Sequence, residues 1–460
     1  GLLAAGAYPD ALRVLQYLEV TQEPDGHWPQ NMWLDGSPYW DGIQLDETAF
    51  PILLVDLAHR LGALPEKEVP RFWAMVQRAA SFITKMGPVT QQDRWEEDPG
   101  YSPFTLAVEI ASLLAAADLA ELHGETGLAD YLRQTADTWN DNIDAWTFVI
   151  GTELAKQVGV PGYYVRITPP DVAEAASPAG GFVPIKNRPA DQSFEPATLI
   201  VSPDALALVR FGLRTPDDPR ILNTLKVIDA CLKVETPVGL AWHRYTDDGY
   251  GEHLDGSPFD GTGIGQLWPL LTGERAMYEL AAGHLDKAHD LAKTMEAFAN
   301  PGGMIPEQVW SGPDLPEKEL FFGKPSGSAM PLVWAHAEYI KLRRSLQDRA
   351  VFDLPPQTVQ RYLVQKTTSP FASWRFNNKI RKINVGKTLR IEVQAPALIH
   401  WSTDNWQTVR DSPTHTPGMD IQIADLPTQD LPAGAMIDFT FYWPEAKHWE
   451  GQNFVVQVVP

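Results

Sequence analysis

The chain has 460 residues, of which 44% are apolar, with 16 Trp, enough for one large domain with a substantial core and a second, smaller one. Its 37 Lys and Arg against 59 Asp and Glu leave a net charge of −22. So acidic a chain repels phosphate backbones and anionic membrane surfaces, which argues against nucleic acid as a partner and leaves a neutral or cationic ligand.

The opening GLLAAGAYPD has no Met and no basic stretch ahead of an apolar one, so it is not a signal peptide. It reads as the last turn of a helix closed by Gly6. The expectation is a chain that begins inside a domain, with a first helix lying upstream or on another polypeptide. From residue 8 to about 346, apolar residues recur at three- and four-residue steps. ALRVLQYLEV, ETAFPILLVDLAHRLG, RFWAMVQRAASFITKMG, TLAVEIASLLAAADLAELHG and GLADYLRQTADTWNDNIDAW are predicted helices. Ser102 and Pro103 supply the entry of the fourth, and Gly124 follows its end. A Pro-, Gly- and Ala-rich stretch, roughly 147–195, reads as a long functional loop. Helical patterns resume with ATLIVSPDALALVRFGL, PRILNTLKVIDACLKV, GQLWPLLTGERAMYELAAG, LDKAHDLAKTMEAFA and SGSAMPLVWAHAEYIKLRRSL. Short loops alternate with long ones, which suggests helical hairpins in a ring with the long loops at one end. A helical solenoid is the competing arrangement, and no fixed period supports it. No segment reaches the roughly 18–20 apolar residues of a bilayer span. The single cysteine, Cys231, excludes an intrachain disulfide and reads as a buried core thiol.

The texture changes near residues 351–358, read as a linker between a helical domain at 1–350 and a β domain at 359–460. Leu389, Ile391 and Val393, then Phe439 and Phe441, then Phe454, Val456 and Val458 alternate with period two, with glycine turns between them. This predicts a small all-β sandwich.

Four loops carry candidate chemistry. Trp33, Tyr39 and Trp40 with Gln44 and Asp46 form either a sugar platform or a cap on the core. In Asp93-Arg94-Trp95-Glu96-Glu97, two adjacent carboxylates sit beside a bulky aromatic ahead of a helix. Apolar shielding by Trp95 and the charge of Glu97 would keep Glu96 protonated, as a general acid requires; the plain alternative is a solvated acidic loop at a helix N-terminus. Arg244 and Tyr245, followed by Asp247-Asp248 and Tyr250, can fork onto vicinal hydroxyls or form a structural Arg–Asp pair. In Gly303–Trp310, Glu307 beside Gln308 can hold a water and take its proton, or be a loop glutamate without a role. His-Glu-x-x-His, Gly-x-Ser-x-Gly and an EF-hand loop are absent, and the glycines of 261–265 lack a Lys-Ser/Thr ending.

These loops, in this order, resemble family fifteen of the glycoside hydrolases, the glucoamylases, over roughly residues 1–346, with bacterial glucoamylases and glucodextranases the nearest in look. The resemblance implies a mainly α fold, an (α/α)6 barrel lacking its first helix or helices in this chain, followed by the β domain. It implies Glu96 as general acid, Glu307-Gln308 as the general-base pair, and Glu97, Arg244 and Tyr245 as substrate-binding residues. Trp40, Gln44, Asp46, Trp95 and Gln308 join them along the cleft. The family's Arg-Asp pair on its first barrel segment has no counterpart here, so an N-terminal companion polypeptide or upstream segment is expected to supply it. The reaction implied is exo-acting, inverting release of β-glucose from α-glucans or α-gluco-oligosaccharides. An inverting pair of carboxyls stands about 6.5–9.5 Å apart and a retaining pair about 5–5.5 Å. A glucodextranase, a trehalase and a dextran-forming transglucosylase share the scaffold; a non-catalytic carbohydrate-binding protein and a helical interaction scaffold are readings of other classes. No metal ligand and no cofactor is required; calcium stays open through the glucodextranase likeness, though no loop demands it. Glucans too large for import imply an extracellular or periplasmic bacterial setting.

Overall fold

The computed structural model describes residues 1–40, 42–170 and 178–460. Asp41 and residues 171–177, which fall in two of the expected long loops, lie outside the described residues.

The helical part is built from α1 (Tyr8–Thr21), α2 (Leu45–Arg60), α3 (Val69–Met86), α4 (Pro103–Leu122), α5 (Thr126–Thr147) and α6 (Glu153–Val158). It continues with α7 (Ala207–Arg210), α8 (Pro219–Cys231), α9 (Pro269–Ala281), α10 (Leu285–Ala297) and α11 (Val333–Asp348). α3 buries one stripe, with Phe72, Val76, Ala79 and Ile83 at helical steps, and faces water elsewhere. α4 is buried all round, as an inner helix must be. Ser102 enters it in extended conformation, and Pro103 occupies a first-turn position where its missing N–H costs nothing. Side by side, α2 packs on α4, α4 on α7, α7 on α9, and α9 on α11. α3, α5 and α10 cover this inner row as hairpin partners. The expected arrangement of paired helices is therefore present.

Three expectations need correcting. α4 is long and apolar enough to qualify as a membrane span by composition, yet it is buried inside the protein. The expected helix over 197–213 breaks into 3-10 turns at Ala197–Leu199 and Pro203–Leu206 ahead of the single turn of α7. Pro203 and the extended Ser202 interrupt it, and Asp204 is held by Arg94. Finally, α11 starts only at Val333, because Pro331 disfavours helical backbone before it. Cys231 is half-buried at the end of α8, and burial pushes its thiol pKa up.

Residues 356–364 form helical turns rather than strand, docked by Gln357 on Asp56 (2.8 Å) and by Arg361 and Tyr362 on Asp137 (2.5 and 3.1 Å). The strands then follow as β1 (Phe371–Trp374), β2 (Lys382–Asn384), β3 (Thr388–Val393), β4 (Leu398–Ser402) and β5 (Arg410–Pro413). After them come β6 (Gln422–Leu426), β7 (Met436–Trp443), β8 (His448–Trp449) and β9 (Phe454–Val459). One sheet runs β6-β3-β1, and the other β2-β9-β7-β4-β5 with β8 beside β7. Trp374, Ile391, Trp401, Phe439, Phe441 and Val456 fill the space between them. On β3 the alternate residues are buried too. Arg390 reaches Gln134 at 2.8 Å, and Glu392 takes the Tyr131 hydroxyl at 2.8 Å, so this face docks on α5 instead of meeting water.

Beside the helical row lies an apolar cavity of about 510 Å³. Leu18 of α1, Phe50 and Leu54 of α2, and Phe352 line it, together with the polar Gln30 and Glu47.

Candidate active site

The acid motif folds as a tight loop ahead of α4. Asp93 N–H donates to the Asp98 carbonyl (3.0 Å) and Glu96 N–H to the Asp93 carbonyl (2.8 Å). Asp93 Oδ1 accepts the N–H groups of Trp95 and Glu97 at 3.3 and 3.2 Å. This closure holds Glu96 at φ 67°, a left-handed conformation that costs a residue with a Cβ about 1–3 kcal/mol. Glu96 is exposed, while Trp95 and Glu97 on either side are buried.

Trp95 lies at 5.3 Å, edge on, from Trp268 and at 5.8 Å from Trp334, and its indole N–H donates to Asp204 (3.2 Å). Arg94 clamps the same region through Asp204 (2.7 Å) and Glu274 (2.7 Å). Glu97 is saturated with partners: Arg166 (3.1 Å), Arg244 (3.0 Å), the Tyr245 hydroxyl (2.5 Å) and the Asn187 amide (3.3 Å). Arg166, wholly buried, joins Asp93 (2.6 Å), Glu97 and Asp98 (2.9 Å) and lies 4.0 Å from the Tyr245 ring centre.

Arg244 forks onto Asp248 with two bonds of 2.7 Å, so the Arg–Asp pair is real. Its Nη2 also reaches Glu97, and among the described residues Nη1 has no hydrogen-bond partner. Rings of Tyr250, Trp95 and Trp268 surround the guanidinium at 4.9, 5.2 and 5.4 Å. The glycines of 261–265 let this loop approach its neighbour. Gly265 N–H donates to the Asp248 carbonyl (2.7 Å), and a Cβ on Gly265 would stand 2.6 Å from the Asp248 side chain.

Glu307 enters on a ladder of single bridges, His243–Leu267–Val309–Pro325, and its N–H donates to the Ala329 carbonyl (2.8 Å). The Tyr250 hydroxyl points at its Oε2 from 3.5 Å. Gln308 is buried and donates its amide N–H to the Tyr250 carbonyl (3.1 Å), so it braces the loop; Tyr250 is the group poised on the Glu307 carboxyl.

Partial desolvation by the surrounding protein raises both glutamates above the ordinary carboxyl range, Glu96 included although its side chain reaches solvent. At Glu96, Asp93 adds to the rise while Arg244 opposes it. At Glu307, Arg244 and the Tyr250 hydroxyl oppose the rise and the charge of Glu96 adds to it. The expectation that Glu97 supplies the negative charge at Glu96 is thereby corrected, because Arg166 and Arg244 neutralise Glu97 and Asp93 takes that part. The Arg244 guanidinium lies 4.9 Å from the Tyr250 ring centre, and the Tyr250 hydroxyl meets Glu307, so one arginine acts on both carboxyls.

Trp40 is exposed on the hairpin of Asn31–Met32 and Pro38–Trp40. Gly42 lets the backbone slip between Trp40 Nε1, 2.9 Å from where a Cβ would stand, and the amide oxygens of Gln30 and Gln92. Gln44 and Asp46 are buried where α2 begins. Desolvation lifts Asp46 to about 7, with Asp93 adding to it, and lifts the neighbouring Glu47 to about 9, with Asp46 and Glu96 adding. Sequence reasoning did not single out Arg166, Asp204, Trp268, Trp334 or Glu47. The only available signal was that Arg166 falls in a long loop flagged as functional. Among the described residues, no group of three or more His, Cys, Asp or Glu side chains is arranged to hold a metal ion.

The sequence profile of glycosyl hydrolases family 15 matches residues 25–344. A glucoamylase of Clostridium sp. (strain G0005) is 42% identical over 79% of this chain and 47% of its own length. An uncharacterized glycosyl hydrolase of Methanocaldococcus jannaschii is 26% identical over 71% of this chain and 46% of its own. Among solved structures, a bacterial glucoamylase complexed with acarbose aligns with a TM-score of 0.69 at 43% identity, over 79% of this chain and 49% of that one. The chain spans about half the length of the curated relatives it matches.

Proposed function

Because the chain belongs to family 15 of the glycosyl hydrolases, we propose that it carries the catalytic centre of an exo-acting, inverting α-glucoside hydrolase of glucoamylase type. One observation supports this above the others: Glu96 and Glu307, on loops more than two hundred positions apart, both have raised pKa values and both feel Arg244. Glu96, held protonated, gives its proton to the glycosidic oxygen as the bond from that oxygen to the anomeric carbon breaks. Glu307, ionised, takes a proton from a water whose oxygen attacks the anomeric carbon from the opposite face. The products are β-glucose and a glucan shorter by one unit. The free Nη1 of Arg244 is available to a sugar hydroxyl, and Asp248 and Glu97 fix the fork that presents it. Trp40, Trp95, Gln44 and Asp46 shape the cleft; Glu97, Tyr245 and Gln308 act chiefly by holding Arg244 and Tyr250 in place. Specificity for α-1,6 links, for trehalose, or for transfer in place of hydrolysis is the second reading of the same centre. The setting is extracellular or periplasmic if the substrate is a polymer.

The deciding experiment is proton NMR of fresh product from maltose and isomaltose. Early β-glucose is expected, and the faster substrate assigns the linkage. Early α-glucose would mean retention and would remove both glutamates from these roles.

The apolar cavity supports a second part of the proposal: a companion polypeptide or upstream segment places an apolar helix there. Glu47 lines the cavity with one carboxyl oxygen that has no partner among the described residues, and burial lifts its pKa to about 9, so a basic residue on that helix would satisfy it. The chain alone is then expected to turn over poorly until that segment is supplied. Full turnover by the purified chain alone would overturn this part.

A further inference from the structure

The stretch from Gly87 to Ser102, which carries Glu96, leaves the end of α3 and returns into α4. Both of its feet rest on one turn of the β domain. That turn, Arg375–Asn378, follows β1 and closes on itself: Arg375 N–H donates to the Asn378 carbonyl (3.0 Å) and Asn378 N–H to the Arg375 carbonyl (3.1 Å). At the entry foot, Arg375 Nη1 donates to the carbonyls of Thr84 and Gly87, the latter at 3.3 Å. The Asn377 amide donates to the carbonyls of Met86 (2.8 Å) and Gly87 (3.3 Å). Carbonyls at the C-terminal end of a helix have no partner within it, and a cation there also suits the helix dipole. At the exit foot, the buried Tyr101 hydroxyl donates to the side-chain oxygen of Asn378 (3.2 Å).

Between the feet the stretch is cross-tied. Thr90 and Gly100 exchange both backbone bonds (3.1 and 3.0 Å), and Tyr101 exchanges both with Thr168 (2.9 and 3.1 Å). Thr168 lies two residues beyond Arg166, the cation that holds Asp93, Glu97 and Asp98. Contacts therefore run without a break from Asn378, through Tyr101 and the Arg166 segment, to the loop that holds Glu96 left-handed. A left-handed residue with a side chain persists only while its surroundings enforce it.

Attachment of the β domain does not need this turn. The sheet β6-β3-β1 already docks on α5 through Arg390 on Gln134 and Glu392 on Tyr131, and Arg361 holds Asp137. Glu392 and Tyr131 also take Nη2 of Arg375, which fixes the guanidinium with Nη1 aimed at α3. Asn377 is exposed, so its two bonds add little to a buried interface, yet both fall on the foot of the acid loop. Glu307, by contrast, is carried on the ladder through Leu267 and Val309.

We infer that the β domain is part of the catalytic unit: its turn Arg375–Asn378 positions the general acid Glu96 by fixing both ends of the loop that carries it. The inference rests on the reading of Glu96 as the acid. Arg375, Asn377 and Asn378 are positioning residues and neither give nor take the proton.

The test compares the full chain with its Asn377→Ala/Asn378→Ala and Tyr101→Phe variants, and with Glu96→Gln as reference. Arg375 is left in place, because its loss would strand Glu392 as a buried charge. Amide hydrogen exchange across 87–102 is expected to quicken about fivefold or more in both variants, with 303–310, around Glu307, unchanged. This readout holds whether or not the chain turns over alone. On maltose, kcat is expected to fall about tenfold with KM little changed. From α-glucosyl fluoride, fluoride leaves without a proton from Glu96 while water attacks the anomeric carbon and gives its proton to Glu307. That substrate is expected to be hydrolysed at near the wild-type rate. Unfolding curves check that the variants are folded. Loop exchange like that of the wild type, or equal loss on both substrates, would overturn the inference. Near-normal maltose turnover by Glu96→Gln would sink the acid assignment instead, and quickened exchange would then still show a loop fixed by the turn.

Discussion

Glu307→Gln and Glu96→Gln are each expected to lower turnover on maltose or isomaltose by about 10²–10⁴ while sparing binding. Glutamine keeps the size and most hydrogen bonds of each carboxyl but can neither take a proton from water nor give one to the glycosidic oxygen. Their pH profiles should differ. In the wild type both limbs are expected above 4.5, the ordinary glutamate value, since burial favours the protonated form at both sites. The two groups repel each other, so the limbs belong to the pair as macroscopic values. The acidic limb reports the group that must be ionised, and the alkaline limb the one that must be protonated. Residual activity of Glu96→Gln is expected to lose the alkaline limb, and that of Glu307→Gln the acidic one. Near-normal turnover by either variant would sink its assignment, and the opposite pattern of limbs would exchange the roles.

Arg166→Met is expected to cost about 3–5 kcal/mol of stability and most of the activity, although Arg166 has no direct access to the cleft. It is the cation shared by Asp93, Glu97 and Asp98, all buried. Burial already raises Glu97 and Asp98, the latter to about 7, with Arg166 holding both down. Without it their folded-state pKa values rise further, so the folded state binds more protons than the unfolded one over a wider range. Stability then falls as pH rises from the unfolded carboxyl value through the folded one. The loss in melting temperature should therefore be larger at pH 8 than at pH 5, and Arg166→Lys should recover part of it. A loss independent of pH would show that packing on the Tyr245 ring, and not charge, is what Arg166 contributes.

The same argument explains why Glu97 reads differently in sequence and in space. Adjacent acidic residues look like mutual repulsion, but the loop turns them to opposite sides. The left-handed Glu96 is exposed, while Glu97 faces two arginines that lie 69 and 147 positions further on.

Most of the helices, the β sandwich and the four candidate loops are legible in the order of residues alone. Burial on one face writes a period into each segment, and Pro, Gly and Ser mark where segments end; both are local effects. Some local signals are degenerate. α4 is as apolar as a membrane span because it is buried on all sides, and a period cannot distinguish protein from lipid. Which charges meet is set by the folded arrangement. Arg166 with Asp93, Trp95 with Asp204, Tyr250 with Glu307 and Tyr131 with Glu392 are pairs brought together by ring closure and domain docking. A buried charge is stable only beside its partner, and no periodicity records a partner that lies on another segment.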